Sequence, residues 1–249
     1  MIKNERQDRI LQIVKLRQYC TVAELAAQLY AAPITVRRDL IQLEAAGLLK
    51  RCHGGATVPE YENREVPYEL RNRNNLPVKR KIAQKAAELV SAGDVVFLDA
   101  SSTVSHMAEF LPAEQNLTVI TNSTLVAERL KQRHIRCYLT GGMNVENSYA
   151  LVGSIAEQTV CGMYANLCFF SAQGIDSDGV ISDQSELETA LRKKMIEHSG
   201  RQYFLFDSQK LGKRFAFRLC GAEQLSGVIT DLEGQNLPRG ICVEPVHTE

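Results

Sequence analysis

Ile34, Thr35, Arg37, Arg38 and Gln42 crowd one short stretch, PITVRRDLIQLEA, in which Val36, Leu40 and Leu43 recur at i, i+4 and i+7. At about 100° per residue that stripe predicts a helix with Val36 turned inward and Arg38 almost opposite it. Ile34 then lies beside Arg38, with Thr35, Arg37 and Gln42 on the flanks. Such an outward set has the chemistry to read base edges in a major groove. Arginine bonds guanine through two atoms, glutamine does so to adenine, and an apolar tip meets a thymine methyl. Just beyond, Lys50, Arg51 and His53 surround Gly54-Gly55, so a short strand over 48–51 and a turn at 53–55 would set three cations against phosphates. An ordinary helical hairpin with solvated arginines is the competing reading, but helix, turn, cationic helix and basic hairpin in that order favour DNA.

A second group of polar residues sits at the ends of apolar runs. These are Asp99-Ala100-Ser101-Ser102-Thr103, Thr121-Asn122-Ser123, Thr140-Gly141-Gly142, the run Gly174 to Gly179 with Asp176 and Asp178, and Asp207-Ser208-Gln209-Lys210. In open α/β sheets ligands bind beyond the carboxyl ends of strands, and hydroxyls and amides at a helix start can cradle phosphate. Any one such loop is explained by helix capping. Five at corresponding ends of one sheet point to a polar crevice.

The elements that position the first group are legible locally. Thr21 with Glu24 three residues on has the form of a capping box, which starts a helix at Val22, and Leu25 and Leu29 share one face of it. Tyr30-Ala31-Ala32 forms the turn, and Pro33 suits the first position of the next helix. Ile10, Leu11 and Val14 mark a support helix within residues 1–16, on which Arg6 and Arg9 read as a solvated face. Residues 1–58 therefore form a small winged helix-turn-helix domain. Polar residues 59–77, with three prolines, read as a linker with a helical turn over 68–73.

From residue 78 to 249 apolar runs alternate with amphipathic stretches. Strands are expected at 95–98, 117–120, 135–139, 167–170, 203–206 and 227–230, and helices at 81–90, 104–111 and 125–131. Strands so apolar predict an α/β domain with a mostly parallel sheet and helices on both faces.

Net charge is zero but segregated: residues 1–58 carry +4, 59–81 carry +2 and the remainder −6, as a DNA-reading head on an acidic body requires. Seven cysteines are scattered without a CxxC pair or a zinc-type Cys/His spacing, so neither metal nor cofactor is expected. No apolar run reaches membrane-spanning length and the polar start does not suit a signal peptide, which makes the cytoplasm the expected compartment.

ELAAQL followed by TVRRDLIQLEAAGLLKRCHGGA resembles the amino-terminal signature of the DeoR family of transcriptional regulators. Its departures are Ala32, where the family usually has a serine-like cap, and Ser101, where its phosphate loop has glycine. The resemblance extends through the loops above to Glu188, with Arg192 at the family's lysine position and Lys193 next to it. It implies an effector domain similar in fold to ribose-5-phosphate isomerase. Asp99, Ser101, Ser102, Thr103, Asn122, Gly142, Asp176, Glu188, Lys193 and Lys210 would hold the ligand, with Lys193 preferred over Arg192 as its anion contact. The implied function is non-enzymatic: repression of a carbohydrate operon, relieved by a phosphorylated sugar, by a homo-oligomer, dimer or tetramer, on a double-stranded operator. The alternative is a phosphosugar isomerase fused to a DNA-binding head.

Overall fold

The structure, a computed structural model, describes residues 3–17, 19–45, 48–52, 54–57, 66–113, 116–232 and 243–245. The chain divides into two compact units, Met1–Arg71 and Asn72–Glu249. His53, residue 58 and the first part of the segment expected as a linker, residues 59–65, lie outside the described residues.

In the first unit α1 (Lys3–Arg17) is followed by β1 (Tyr19–Thr21), α2 (Val22–Leu29), α3 (Pro33–Ala45), β2 (Lys50–Cys52) and β3 (Gly55–Thr57). The capping box forms as the sequence predicts. Thr21 Oγ1 accepts the Glu24 amide at 3.2 Å, and Glu24 Oε2 accepts the Thr21 amide at 2.8 Å. Ile10, Val14, Leu25, Leu29, Val36, Leu40, Leu43 and Leu48 are all buried in one core, each contributing on the order of 1.5–3 kcal/mol. The wing is not a lone hairpin but an antiparallel sheet in the order β1-β3-β2. β1 approaches β3 so closely that a Cβ on Gly55 would lie 2.2 Å from the Cys20 carbonyl oxygen, so only glycine fits there.

In the second unit α4 (Tyr68–Arg73) spans the division, and α5 (Leu76–Ala87) starts inside the segment expected as linker. There follow β4 (Val95–Leu98), α6 (Met107–Phe110), β5 (Thr118–Thr121), α7 (Thr124–Gln132) and β6 (Arg136–Leu139). The chain continues through β7 (Met143–Asn144), β8 (Leu151–Val152), α8 (Ser154–Cys161), β9 (Ala165–Phe170), β10 (Gly174–Ile175) and β11 (Val180–Asp183). It ends with α9 (Glu186–Glu197), β12 (Ser199–Phe206), β13 (Phe217–Gly221), β14 (Gly227–Thr230) and β15 (Val243–Pro245).

Seven strands in the order β15-β14-β12-β9-β4-β5-β6 pair entirely in parallel. The pleat divides the core into two layers. Val96, Leu98, Val119 and Phe169 meet Ile82, Ala86, Met107 and Leu130 of α5, α6 and α7 on one face. Phe97, Ile120, Phe170 and Phe204 meet Ala156, Val160, Leu191 and Met195 of α8 and α9 on the other. That two-faced burial is why these strands read as near-continuous apolar runs. Two small antiparallel sheets, β10-β11-β13 and β7-β8, have no counterpart in the sequence reading. Their strands are too short and interrupted to show a period.

The chain runs from β4 outward through β5 to β6, then returns to place β9 on the other side of β4. The direction of winding therefore reverses between β4 and β9. The carboxyl ends of these two strands are therefore the place where an open α/β sheet binds ligands.

Candidate functional site

On α3 the inward stripe comprises Val36, Asp39, Leu40 and Leu43, while Ile34, Arg37, Arg38 and Gln42 are exposed and Thr35 half-buried. Asp39, buried on the apolar face, anchors the helix. Arg6 Nε donates to its Oδ2 at 2.6 Å, and Gln7 Nε2 to its Oδ1 at 3.4 Å. Arg6 is thus a brace under α3 rather than a solvated face. Gln7 Nε2 also donates to Gln42 Oε1 at 2.9 Å. That bond takes one lone pair of the carbonyl which a two-point adenine contact would use and ties the Gln42 side chain to α1. On the wing, Arg51 is tied back to α3 through Glu44, its amide donating to Oε1 at 2.8 Å and its guanidinium lying 3.5 Å from Oε2. Among the described residues Arg37, Arg38 and Lys50 make no ion pair, and all three cations are exposed to solvent.

At the reversal point the central group is Arg192, buried on α9. Its Nε donates to Asp99 Oδ2 at 2.8 Å, its Nη1 to Asp183 Oδ2 at 2.9 Å, and its Nη2 to Glu188 Oε2. Burial works against its charge, but the three carboxylates outweigh that and raise its pKa above the ordinary value. Asp99 closes the loop after β4, accepting the Ser101 amide and hydroxyl on Oδ1 at 3.0 and 2.6 Å. Its Oδ2 also accepts the Ser171 amide at the end of β9, at 3.2 Å. Two more cations reach this point. Lys79 Nζ, buried on α5, donates to Ser102 Oγ at 3.3 Å, and Lys210 Nζ donates to Ser171 Oγ at 2.7 Å.

Three buried polar atoms of these loops and of α9 have no hydrogen-bond partner among the described residues: Thr103 Oγ1, Asn122 Oδ1 and Glu188 Oε1. Buried polar groups are nearly always paired with protein, water or ligand, which makes these three atoms the candidates for contact with a bound molecule. Asp99 and Asn122 follow directly on Leu98 and Thr121, which are register partners, so two of the loops meet side by side. The amides of Ser102 and Thr103 likewise donate to no acceptor among the described residues. Chemically the crevice offers two acceptors suited to ligand hydroxyls, and amide, hydroxyl and ammonium donors suited to an anion.

The other expected ligand residues have different surroundings. Gly142 has φ +114°, and a Cβ there would lie 2.5 Å from the Val152 carbonyl oxygen, so the glycine serves close packing on β8. Asp176 closes the β10–β11 hairpin: Oδ1 accepts the Asp178 and Val180 amides, and Arg214 Nε donates to Oδ2 at 2.7 Å. Burial acts to raise its pKa, but those bonds and the cation hold it below the ordinary carboxylate value. Lys193 is exposed on α9, whereas the Arg192 beside it is buried with its guanidinium taken up by three carboxylates. One residue along a helix is a turn of about 100°, and Arg192 has the inward direction. Burial pushes the Cys137 and Cys220 thiols up, to about 11 and about 12, which makes both poor nucleophiles. A cavity of about 570 Å³ bounded by Asn116, Lys131, His134 and Arg136 lies at the β6 margin and contains none of these buried polar groups.

Asp39, Lys79, Ser171 and Asp183 were missed by sequence reasoning. For two of them a signal exists. Asp39 shares the period of Val36, Leu40 and Leu43, and Lys79 that of Ile82, Ala83 and Ala86. A charge on an apolar stripe must find a buried partner or leave the core.

Comparison with known proteins agrees with this division. Residues 6–62 match the DeoR-like helix-turn-helix domain, and residues 74–232 match the DeoR C terminal sensor domain. An uncharacterized HTH-type transcriptional regulator of Bacillus subtilis, YulB, is 37% identical over 232 residues, covering 93% of this chain and 90% of the relative. The L-fucose operon activator of Haemophilus influenzae is 34% identical, covering 92% of each chain. The lactose phosphotransferase system repressor of Staphylococcus epidermidis is 33% identical, covering 93% of each. No helix among the described residues is long and apolar enough to cross a membrane.

Proposed function

The chain belongs to the DeoR family of helix-turn-helix transcriptional regulators, and on that premise we propose that it represses a carbohydrate-metabolism operon until a phosphorylated sugar occupies the strand-end crevice. Residues 1–58 form the part that meets a double-stranded operator, joined through residues 59–77 to a sensor body. Ile34, Thr35, Arg37 and Arg38 read bases, while Lys50, Arg51 and His53 meet phosphates. Operators for such heads are two-fold symmetric in many cases, which favours an even-numbered homo-oligomer. The observation that carries the ligand reading is the set of buried, partnerless Thr103 Oγ1, Asn122 Oδ1 and Glu188 Oε1 beside two ammonium groups. Sugar hydroxyls donate to the two acceptors. A phosphate takes the Ser102 and Thr103 amides with Lys79 and Lys210. Asp99 and Arg192 hold the loops in place and do not themselves carry the ligand's charge.

An effector changes DNA affinity only as far as it binds one arrangement of the protein better than the other. The test is an anisotropy titration of the full chain on a labelled duplex that the protein has enriched from a random pool. Pentose and hexose phosphates, the parent sugars and inorganic phosphate are added in turn. A phosphorylated sugar is expected to weaken DNA binding at least tenfold where its parent sugar does not. Lys79→Met should bind the duplex as wild type does yet lose that response. If no sugar phosphate shifts the titration, or if Lys79→Met responds fully, the ligand reading is lost. Turnover of the same phosphates by the full chain would establish the isomerase alternative instead.

A further inference from the structure

α2 ends at Leu29, and Tyr30 takes up a left-handed backbone, φ 50° and ψ 42°. That conformation crowds the Cβ of an L-residue, and glycine or asparagine is the usual occupant just past a helix. The turn itself is well made: the Ala31 amide donates to the Ala26 carbonyl at 3.0 Å. The Tyr30 side chain takes no part in it. It is 97% exposed and makes no hydrogen bond or ring contact among the described residues. A bulky aromatic kept in solvent, on a backbone that disfavours it, serves something outside the folded unit.

Its position indicates what. Tyr30 precedes Pro33, the first residue of α3, by three residues, so the two Cα atoms are within about 11 Å. Ile34, 63% exposed, stands at the same end. A recognition helix presents its amino-terminal residues to base edges in a groove about 12 Å wide, so side chains around that end also face the phosphate ridge bordering the groove. A neutral hydroxyl on a stiff stem is one of the groups that bond phosphate oxygens.

We propose that the Tyr30 phenol donates a hydrogen bond to a backbone phosphate beside the amino end of α3, a contact that sets the depth at which the helix sits. The proposal rests on the DNA-binding reading of α3. It is tested with the full chain on the enriched duplex and on a scrambled duplex of the same length. Tyr30→Phe, which keeps the ring, should weaken both duplexes alike, by about 3- to 10-fold. The dependence of affinity on salt should not change, because a neutral phenol displaces no counterion. Tyr30→Gly should bind at least as weakly while its thermal midpoint equals or exceeds that of wild type, because the left-handed strain is relieved. Opposite signs for stability and affinity would set this contact apart from a structural role. The proposal is overturned if Tyr30→Phe binds both duplexes as tightly as wild type, whether or not Tyr30→Gly is weakened or fails to fold. Arg38→Ala serves as the control. If Tyr30→Phe is without effect while Arg38→Ala weakens the enriched duplex, the Tyr30 contact alone is lost; if neither weakens it, the orientation of α3 is lost with it.

Discussion

At the scale of single residues, the head separates groups that hold α3 from groups that face outward. Asp39 and Glu44 belong to the first set, anchored to Arg6 and Arg51; Arg37, Arg38 and Lys50 belong to the second. The two kinds of outward cation have distinguishable signatures. Arg38→Ala should weaken the enriched duplex by about 1–3 kcal/mol and relax the choice of base at one position. Lys50→Ala should weaken every duplex to a similar extent and lower the salt slope by about one unit. Anisotropy titrations at several salt concentrations read both effects. Unaltered affinity in Arg38→Ala would mean that α3 presents a different face to DNA.

At the scale of elements, α9 is fastened to the ends of β4 and β11 by one guanidinium. Arg192 gathers Asp99 and Asp183, and adds Glu188 one turn earlier on its own helix. Removing the cation strands three buried carboxylates, and breaking such a pairing costs about 3–5 kcal/mol. Arg192→Met should therefore lower the urea midpoint of the second unit by about that stability, while the first unit's transition stays in place. Arg192→Lys should be milder but still weaker than wild type, since one ammonium cannot reproduce a planar fork that reaches three acceptors. Wild-type stability in Arg192→Met would show that the cluster contributes nothing net. Capping boxes and apolar periods made α2, α3 and the central strands legible in the sequence. β1, β10, β11 and β13 were not legible, because strands of a few residues are defined by what they pair with.

At the scale of the whole molecule, charge is divided between the parts. The cationic surplus lies in residues 1–81 and the acidic excess in the remainder, with a formal sum of zero. The division between compact units at Arg71 and Asn72 falls inside the cationic portion. A chain shortened to residues 72–249 keeps the crevice and loses the exposed cations of α3 and β2. It should retain affinity for the sugar phosphate that acts on the full chain, measured by titration calorimetry, and lose affinity for the enriched duplex. Duplex binding by the short chain equal to that of the intact protein would refute the assignment of DNA contact to residues 1–58.

By itself the sequence determined where the apolar stripes of α2, α3 and the central strands lie, because helical and strand periods are properties of neighbours along the chain. It also determined the winged head, the parallel sheet and the polar character of the strand ends. Only the tertiary structure decided what the inward charges meet. Asp99 and Arg192 lie far apart in sequence, as do Lys79 and Ser102, and no local period records such a pairing. The choice between Arg192 and Lys193 turned on the same point. Adjacent cations are equivalent in composition, and it is the packing of α9 that sends one among carboxylates and the other into water.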